Sequence, residues 1–115
     1  MALDRAGDPD TAVFHYGAAL DGGLEPDLRR ECLHGLGSSL RAVGRYAEAV
    51  EVLQRGCQEY PGHPEFPVFL AMAEYNVGQA GQAVARLLEL IADGASVGGY
   101  ARAVREYAAD LDAVW

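Results

Sequence analysis

The sequence predicts an all-α fold of consecutive antiparallel helix hairpins, and three observations support this class. First, the segments VGRYAEAVEVLQRG (residues 43–56) and VGQAGQAVARLLEL (residues 77–90) align without a gap at an offset of 34 residues. Second, apolar residues recur three and four positions apart, as on one helix face, and no alternating strand pattern is found. Third, prolines and glycines stand where helices are expected to begin and end. Short turns between such helices make them antiparallel neighbours.

The first hairpin is a divergent copy of the repeat. At an offset of 37 residues Gly7 overlies Gly44, and the three extra residues belong to the loop 21–27, where insertion costs little. We predict a helix over residues 9–20 and a short stub over residues 1–6.

Five further helices are predicted over residues 27–43, 46–59, 64–77, 80–93 and 98–112. Pro26 and Pro64 suit first turns, where a missing N–H costs nothing. Glycine suits the last position of a helix, and this sequence places Gly44, Gly62, Gly78 and Gly94 at the predicted ends.

Composition narrows the classes of function. The chain has 115 residues, half of them apolar, and a formal net charge of −8 with arginine as its only cation. Such an acidic chain is a poor binder of nucleic acid or of anionic membranes, and without lysine it cannot form a Schiff base. No apolar run approaches the roughly 20 residues that span a bilayer. With no secretory signal, we expect a cytoplasmic protein whose Cys32 and Cys57 are reduced thiols.

The repeat resembles the tetratricopeptide family at specific positions. In residues 30–63 the family's small positions are met by Gly37 and Ala49, and its closing proline by Pro61. Its large apolar positions are met by Leu33, Leu36, Leu40 and Leu53, and the next repeat carries Leu70, Ala71, Ala83 and Leu87. The whole chain is similar to small stand-alone bacterial tetratricopeptide proteins with an LGSSLRxxGRxxEAVxxL core and a YxxAxxxYAxxL end.

The resemblance implies one right-handed α-solenoid domain over residues 1–115. It divides the domain into a truncated repeat (1–24), two repeats (25–63 and 64–97) and a C-terminal capping helix (98–115). The family places a small residue at Gly37 so that two helix backbones approach closely. Gly35 has no role in the motif and is expected to permit the close approach of a neighbour or of a ligand.

The chain departs from the family pattern at two further positions, and each departure leads to an expectation about the structure. Glu74 stands where the family has an apolar or aromatic residue, and a carboxylate there needs a partner. We expect Arg102 or Arg105 of the last helix to supply it. Gly56 replaces a customary alanine, and we expect it to loosen that turn of its helix.

The resemblance implies a non-catalytic module that binds a peptide or helix of a partner protein in its concave groove. The inward family positions predict the groove residues Glu31, His34, Ser38, Arg41, Glu65, Phe69, Met72, Tyr75, Arg102 and Glu106. Phe69, Met72 and Tyr75 lie three apart and share a helix face. The alternative is that Phe69 and Met72 only pack against the last helix. Lysine- and amide-rich clamps for C-terminal carboxylates are not expected, because Ser38 and Met72 occupy the amide positions.

A self-associating scaffold is the second hypothesis. The repeat alignment places Met1 about eight residues inside the first helix of its hairpin. The apolar side of helix 9–20 would then lack its usual cover, so either a second subunit covers it or the chain begins upstream. The residues of the expected homodimer interface are Val13, Phe14, Tyr16 and Leu20.

Enzyme chemistry is a remote alternative. Cys32 and His34 lie two apart on a helix, so they point about 200° apart and cannot easily share a metal ion. Cys57 lies on an apolar stripe and is interpreted as a small core residue rather than a thiol paired with His63. We expect no cofactor and no metal site.

Overall fold

The computed structural model describes residues 8–96 and 98–112, and this part of the chain contains helices and no strand. The helices are α1 (Pro9–Asp21), α2 (Pro26–Ala42), α3 (Tyr46–Glu59), α4 (Glu65–Asn76), α5 (Ala80–Ala92), a 3₁₀ turn (Gly98–Tyr100) and α6 (Ala101–Ala109). The all-α prediction is confirmed, and most helix ends lie within two residues of their predicted positions. The predicted stub over residues 1–6 lies outside the described residues.

Local capping and turn chemistry explain the helix ends. The carboxylate of Asp8 accepts a hydrogen bond from the backbone N–H of Asp10 at 3.0 Å, and Glu25 caps α2 in the same way. Gly44 and Gly78 adopt φ angles of +83° and +86°, which side-chain-bearing residues rarely adopt. These two glycines, 34 residues apart, therefore make the same turn in consecutive repeats.

From α1 to α5, each helix packs against the next one around a continuous core. Its largest fully buried apolar side chains are Leu33, Leu53, Phe66 and Leu70. A Cβ atom added at Gly37 would lie 2.5 Å from a methyl carbon of Leu53, so the expected close approach of α2 and α3 is present.

Two other glycines make room for aromatic rings. A Cβ atom at Gly35 would lie 2.5 Å from the ring of Tyr16, so this glycine admits the neighbouring α1. A Cβ atom at Gly56 would overlap the ring of Phe66. We expected Gly56 only to loosen its turn. Its role is instead to leave room for the buried ring of Phe66, which belongs to the next helix.

The carboxylate of Glu74 is paired within its own hairpin. Its two oxygens accept hydrogen bonds from Nε and Nη2 of Arg86 on α5, each at 2.8 Å, and Glu74 is 1% exposed. The prediction that Arg102 or Arg105 pairs with it is wrong. Arg86 lies on α5, which follows α4 after a single turn. Its guanidinium binds the carboxylate in a bidentate geometry and satisfies both oxygens.

Candidate functional site

The last helix lies across α2 and α4, on the residues predicted to form the groove. The ring centroids of Tyr100 and His34 are 4.5 Å apart, and those of Tyr107 and Phe69 are 5.8 Å apart. The guanidinium carbon of Arg41 lies 5.2 Å from the centroid of the Tyr107 ring, within cation–π distance. The chain therefore covers part of its own groove with α6.

The segment after α6 is held by hydrogen bonds to its main chain. The carbonyl of Leu111 accepts hydrogen bonds from Nη2 of Arg41 at 3.0 Å and from Nδ2 of Asn76 at 2.9 Å. Nε of Arg41 also donates to Oδ1 of Asn76 at 2.8 Å, which fixes the two donors relative to each other. Arg41 is buried, and this burial lowers the pKa of its guanidinium.

A hydroxyl–carboxylate hydrogen bond at the surface also holds the segment after α6. The hydroxyl of Tyr75 donates a hydrogen bond to the carboxylate of Asp112 at 3.3 Å. The negative charge of Asp112 raises the pKa of Tyr75, because ionising the phenol would place two anions side by side.

The predicted groove residues divide into a covered set and an accessible set. The covered, buried residues are His34, Arg41, Glu65, Phe69 and Met72. Phe69 and Met72 belong to the core cluster against which Tyr100, Val104, Tyr107 and Leu111 pack. The accessible or half-buried residues are Glu31, Ser38, Tyr75, Arg102 and Glu106.

The two charged residues predicted on the last helix lie close to each other. Arg102 is mostly exposed, and its Nε lies 3.5 Å from a carboxylate oxygen of Glu106 on the same helix. Glu65 also has its own partner, because Oε2 accepts a hydrogen bond from Nη1 of Arg30 at 3.1 Å. Because these charged side chains are paired, the walls of the groove are mainly apolar. Arg41 is the cation at the centre of the groove.

His34 is the most unusual polar group of the groove. Its ring lies 4.5 Å from that of Phe69 and 5.9 Å from that of Phe66, measured between centroids. Its Nε2 atom is buried without a hydrogen-bond partner among the described residues. Burial lowers the pKa of His34 to about 4, against the opposing effect of the Glu65 carboxylate. The imidazole is therefore neutral at pH 7 and packs as an aromatic ring.

A cleft of about 460 Å³ remains open between α2 and α6. Its lining residues are Tyr16, Leu28, Glu31, Cys32, His34, Gly35, Ser38, Phe69, Tyr100, Ala103 and Tyr107. Sequence reasoning missed Tyr100, Tyr107 and Asn76 as groove residues. The seven-residue spacing of the two tyrosines was a usable signal, since it places both on one helix face. Asn76 has no such signal.

The predicted dimer residues are only partly accessible. Phe14 is 71% exposed, whereas Tyr16 is buried against Gly35. Val13 and Leu20 are half-buried and pack against the core cluster. Any second subunit at α1 would therefore contact Phe14 first.

The cysteines are both unpaired thiols, and burial raises the pKa of each. A raised pKa lowers the thiolate fraction and with it the nucleophilicity.

Within residues 8–96 and 98–112, no three His, Cys, Asp or Glu side chains are grouped closely enough to hold a metal ion. None of the helices in this part of the chain is both long and apolar enough to cross a bilayer.

The packed helix hairpins define a helical-repeat protein. A comparison with protein families matches the tetratrico peptide repeat family over residues 1–111, and the chain belongs to that family. Proteins of this family generally mediate protein–protein interaction and are generally not enzymes. A search of the curated proteins found no match to this chain.

Proposed function

We propose that this chain is a non-catalytic interaction module whose concave face, formed by α2 and α4, binds a helical segment of a partner protein. The observation that supports it most directly is the way α6 is held. An amphipathic helix lies on the apolar wall, and Arg41 and Asn76 donate hydrogen bonds to a main-chain carbonyl just beyond its end. A partner helix would use the same contacts in place of α6.

The contacts suggest how such a site selects its ligand. The Arg41–Asn76 pair binds a main-chain carbonyl two residues beyond the end of α6, so this contact does not depend on the side chains of the bound segment. Selectivity comes from aromatic or large apolar residues seven positions apart, where Tyr100 and Tyr107 now lie. Because α6 is tethered to the same chain, it competes at a high effective concentration, and a partner must bind the groove more tightly than α6 does.

The wider setting of the proposal rests on composition and family. Protein partners fit the tetratricopeptide family, and a net charge of −8 disfavours nucleic acid. A cytoplasmic location, the small bacterial group and the absence of catalysis are parts of the same proposal.

The experiment uses the chain's own last helix as the probe. A fluorescent peptide of residues 98–112 is titrated into wild-type protein and into Tyr107→Ala, and binding is followed by anisotropy. Tyr107→Ala removes an anchor of α6 but leaves the groove walls unchanged, so we expect the peptide to bind this variant about tenfold more tightly than wild type. Arg102→Ala, at an exposed position of α6, is the matched control and should behave like wild type. Equal binding to all three proteins, or no binding to folded Tyr107→Ala, would contradict the proposal.

Homodimerisation through α1 is the second candidate, and the exposure of Phe14 favours it. Light scattering over a dilution series measures it directly. A mass of twice the chain that falls to one chain in Phe14→Glu would support a dimer at α1. A wild-type mass of one chain at every concentration would rule it out.

A further inference from the structure

Helix α5 carries an exposed apolar face. We call the side chains of Val84, Leu87, Leu88 and Ile91 the α5 face; Val84, Leu88 and Ile91 are 55%, 60% and 73% exposed. Exposed single apolar residues are common on proteins, but four on adjacent turns of one helix form a continuous patch.

The internal repeat shows what such a face accommodates. At the 34-residue offset Val84, Leu87 and Ile91 correspond to Val50, Leu53 and Cys57 of α3. In α3 the middle residue is fully buried, with its side chain against Gly37 of α2, and the outer two are half-buried. Helix α4 packs on the same helix α3. The α5 face is thus the position at which a further amphipathic helix would pack.

The chain's own α6 does not fill this position. At the same offset Tyr100 corresponds to Phe66, whose ring occupies the space above Gly56. The residue of α5 that corresponds to Gly56 is Leu90, so a ring in the register of Phe66 would meet a leucine side chain instead of a glycine. Tyr100 packs against His34 instead.

A continuous groove borders the α5 face. One cleft has a volume of about 420 Å³ and is lined by Pro64, Val68, Leu87, Leu90, Ile91, Ala95 and Ser96. It shares four of these residues with a second cleft of about 580 Å³. The first cleft carries no charged side chain, so it suits aliphatic side chains of a helix lying along α5.

The second cleft gives the groove a negative end. Glu89 and Asp93 line it, and neither lies within ion-pair distance of a cation in the described part of the chain. The one arginine of the lining, Arg86, is hydrogen-bonded to Glu74 and is also attracted by the charge of Glu89. The last turn of α5 contains no basic residue, so these carboxylates add to the negative end of the helix dipole.

We propose that the α5 face and its groove dock an amphipathic helix of a partner protein, with aliphatic residues along one side and arginine or lysine beside them. The aliphatic stripe takes the place that α4 has on α3, and the cations meet Glu89 and Asp93. A second copy of this chain is a poor occupant, because its net charge of −8 would bring acidic surfaces together. This surface is separate from the concave groove, on which α6 lies.

Two synthetic helices test the proposal on the full chain. Both carry the same leucine stripe at positions i, i+4, i+7 and i+11; one has arginine and the other glutamate on the flanks of the stripe. We expect the arginine peptide to bind, and the glutamate peptide to bind at least about tenfold more weakly. Because the attraction involves exposed charges, the difference should shrink as salt is raised. Equal binding of the two peptides, or no binding of the arginine peptide, would overturn the proposal.

Variants locate the site. The double change Leu88→Gln and Ile91→Gln alters two exposed positions, so the fold should survive, and binding should weaken by about tenfold or more. The matched control is Phe14→Gln, which removes a similarly exposed apolar side chain from α1 and should leave binding unchanged. Binding that falls equally in both variants would mean non-specific adhesion and would refute the proposal. A wild-type dimer in light scattering that the double change dissociates would identify a second copy as the occupant and would refute it too.

Discussion

Replacing Gly56 by alanine is expected to destabilise the protein, although glycine-to-alanine changes inside helices usually stabilise. The change gains about 1 kcal/mol of helix propensity. Against this, the new methyl group would overlap the ring of Phe66, which has no exposed surface and cannot move outward. The Phe66 ring is also confined by Tyr60, stacked at 6.1 Å, and by His34 at 5.9 Å between centroids. Overpacking of a closed core typically costs about 1–3 kcal/mol, so the free energy of unfolding should fall by up to about 2 kcal/mol.

Urea denaturation followed by circular dichroism measures this change. Gly17→Ala is the matched control, since a Cβ atom there meets nothing within 4 Å; it should raise the free energy of unfolding by about 0.5–1 kcal/mol. Adding Phe66→Leu to Gly56→Ala should cost less than the sum of the two single changes, because the smaller side chain relieves the overlap. If Gly56→Ala stabilises as much as Gly17→Ala, the account of Gly56 as a socket is wrong.

Two further predictions concern charge. Glu74→Gln leaves Arg86 without its buried counter-ion and should lower the free energy of unfolding by about 1–3 kcal/mol, whereas Glu48→Gln, at an exposed pair, should change it little in the same urea assay. Because the pKa of His34 is lowered to about 4 in the folded chain from 6.5, the unfolded chain binds the proton more readily. Stability should therefore fall between pH 6.5 and pH 4 by about 3 kcal/mol, and a His34→Phe variant whose melting temperature falls as steeply as that of wild type over this range would contradict the assignment.

The helices and their ends were largely predictable, because the signals are local. Gly44 and Gly78 allow left-handed turns, and the apolar spacing around them defines which side of each helix is buried. The candidate groove was predictable only in part. The family positions of Phe69 and Met72 indicated an inward face and left open whether the last helix packs on it. Only the structure shows that Tyr100 and Tyr107 lie against Phe69.

The misjudged residues have one cause in common. Glu74 was assigned to a cation of the last helix because charge complementarity alone does not say which arginine is near. Arg86 is the partner, since α5 packs directly on α4 and brings the two side chains within 2.8 Å. Gly35 was expected to admit a neighbour, but its own helix did not say which one, because Tyr16 of α1 lies over it only in the folded chain.

By itself, the sequence determined the family, the all-α class and the repeating hairpin, because periodicity, capping and glycine turns act over a few residues. Only the tertiary structure decided where the last helix lies. Its apolar stripe matches α4 in register, but α5 has Leu90 at the position where α3 has Gly56, and Tyr100 and Tyr107 pack against the rings of His34 and Phe69 instead. Which of two apolar surfaces a helix covers depends on shape complementarity between residues far apart in the chain, and that information is absent from local pattern.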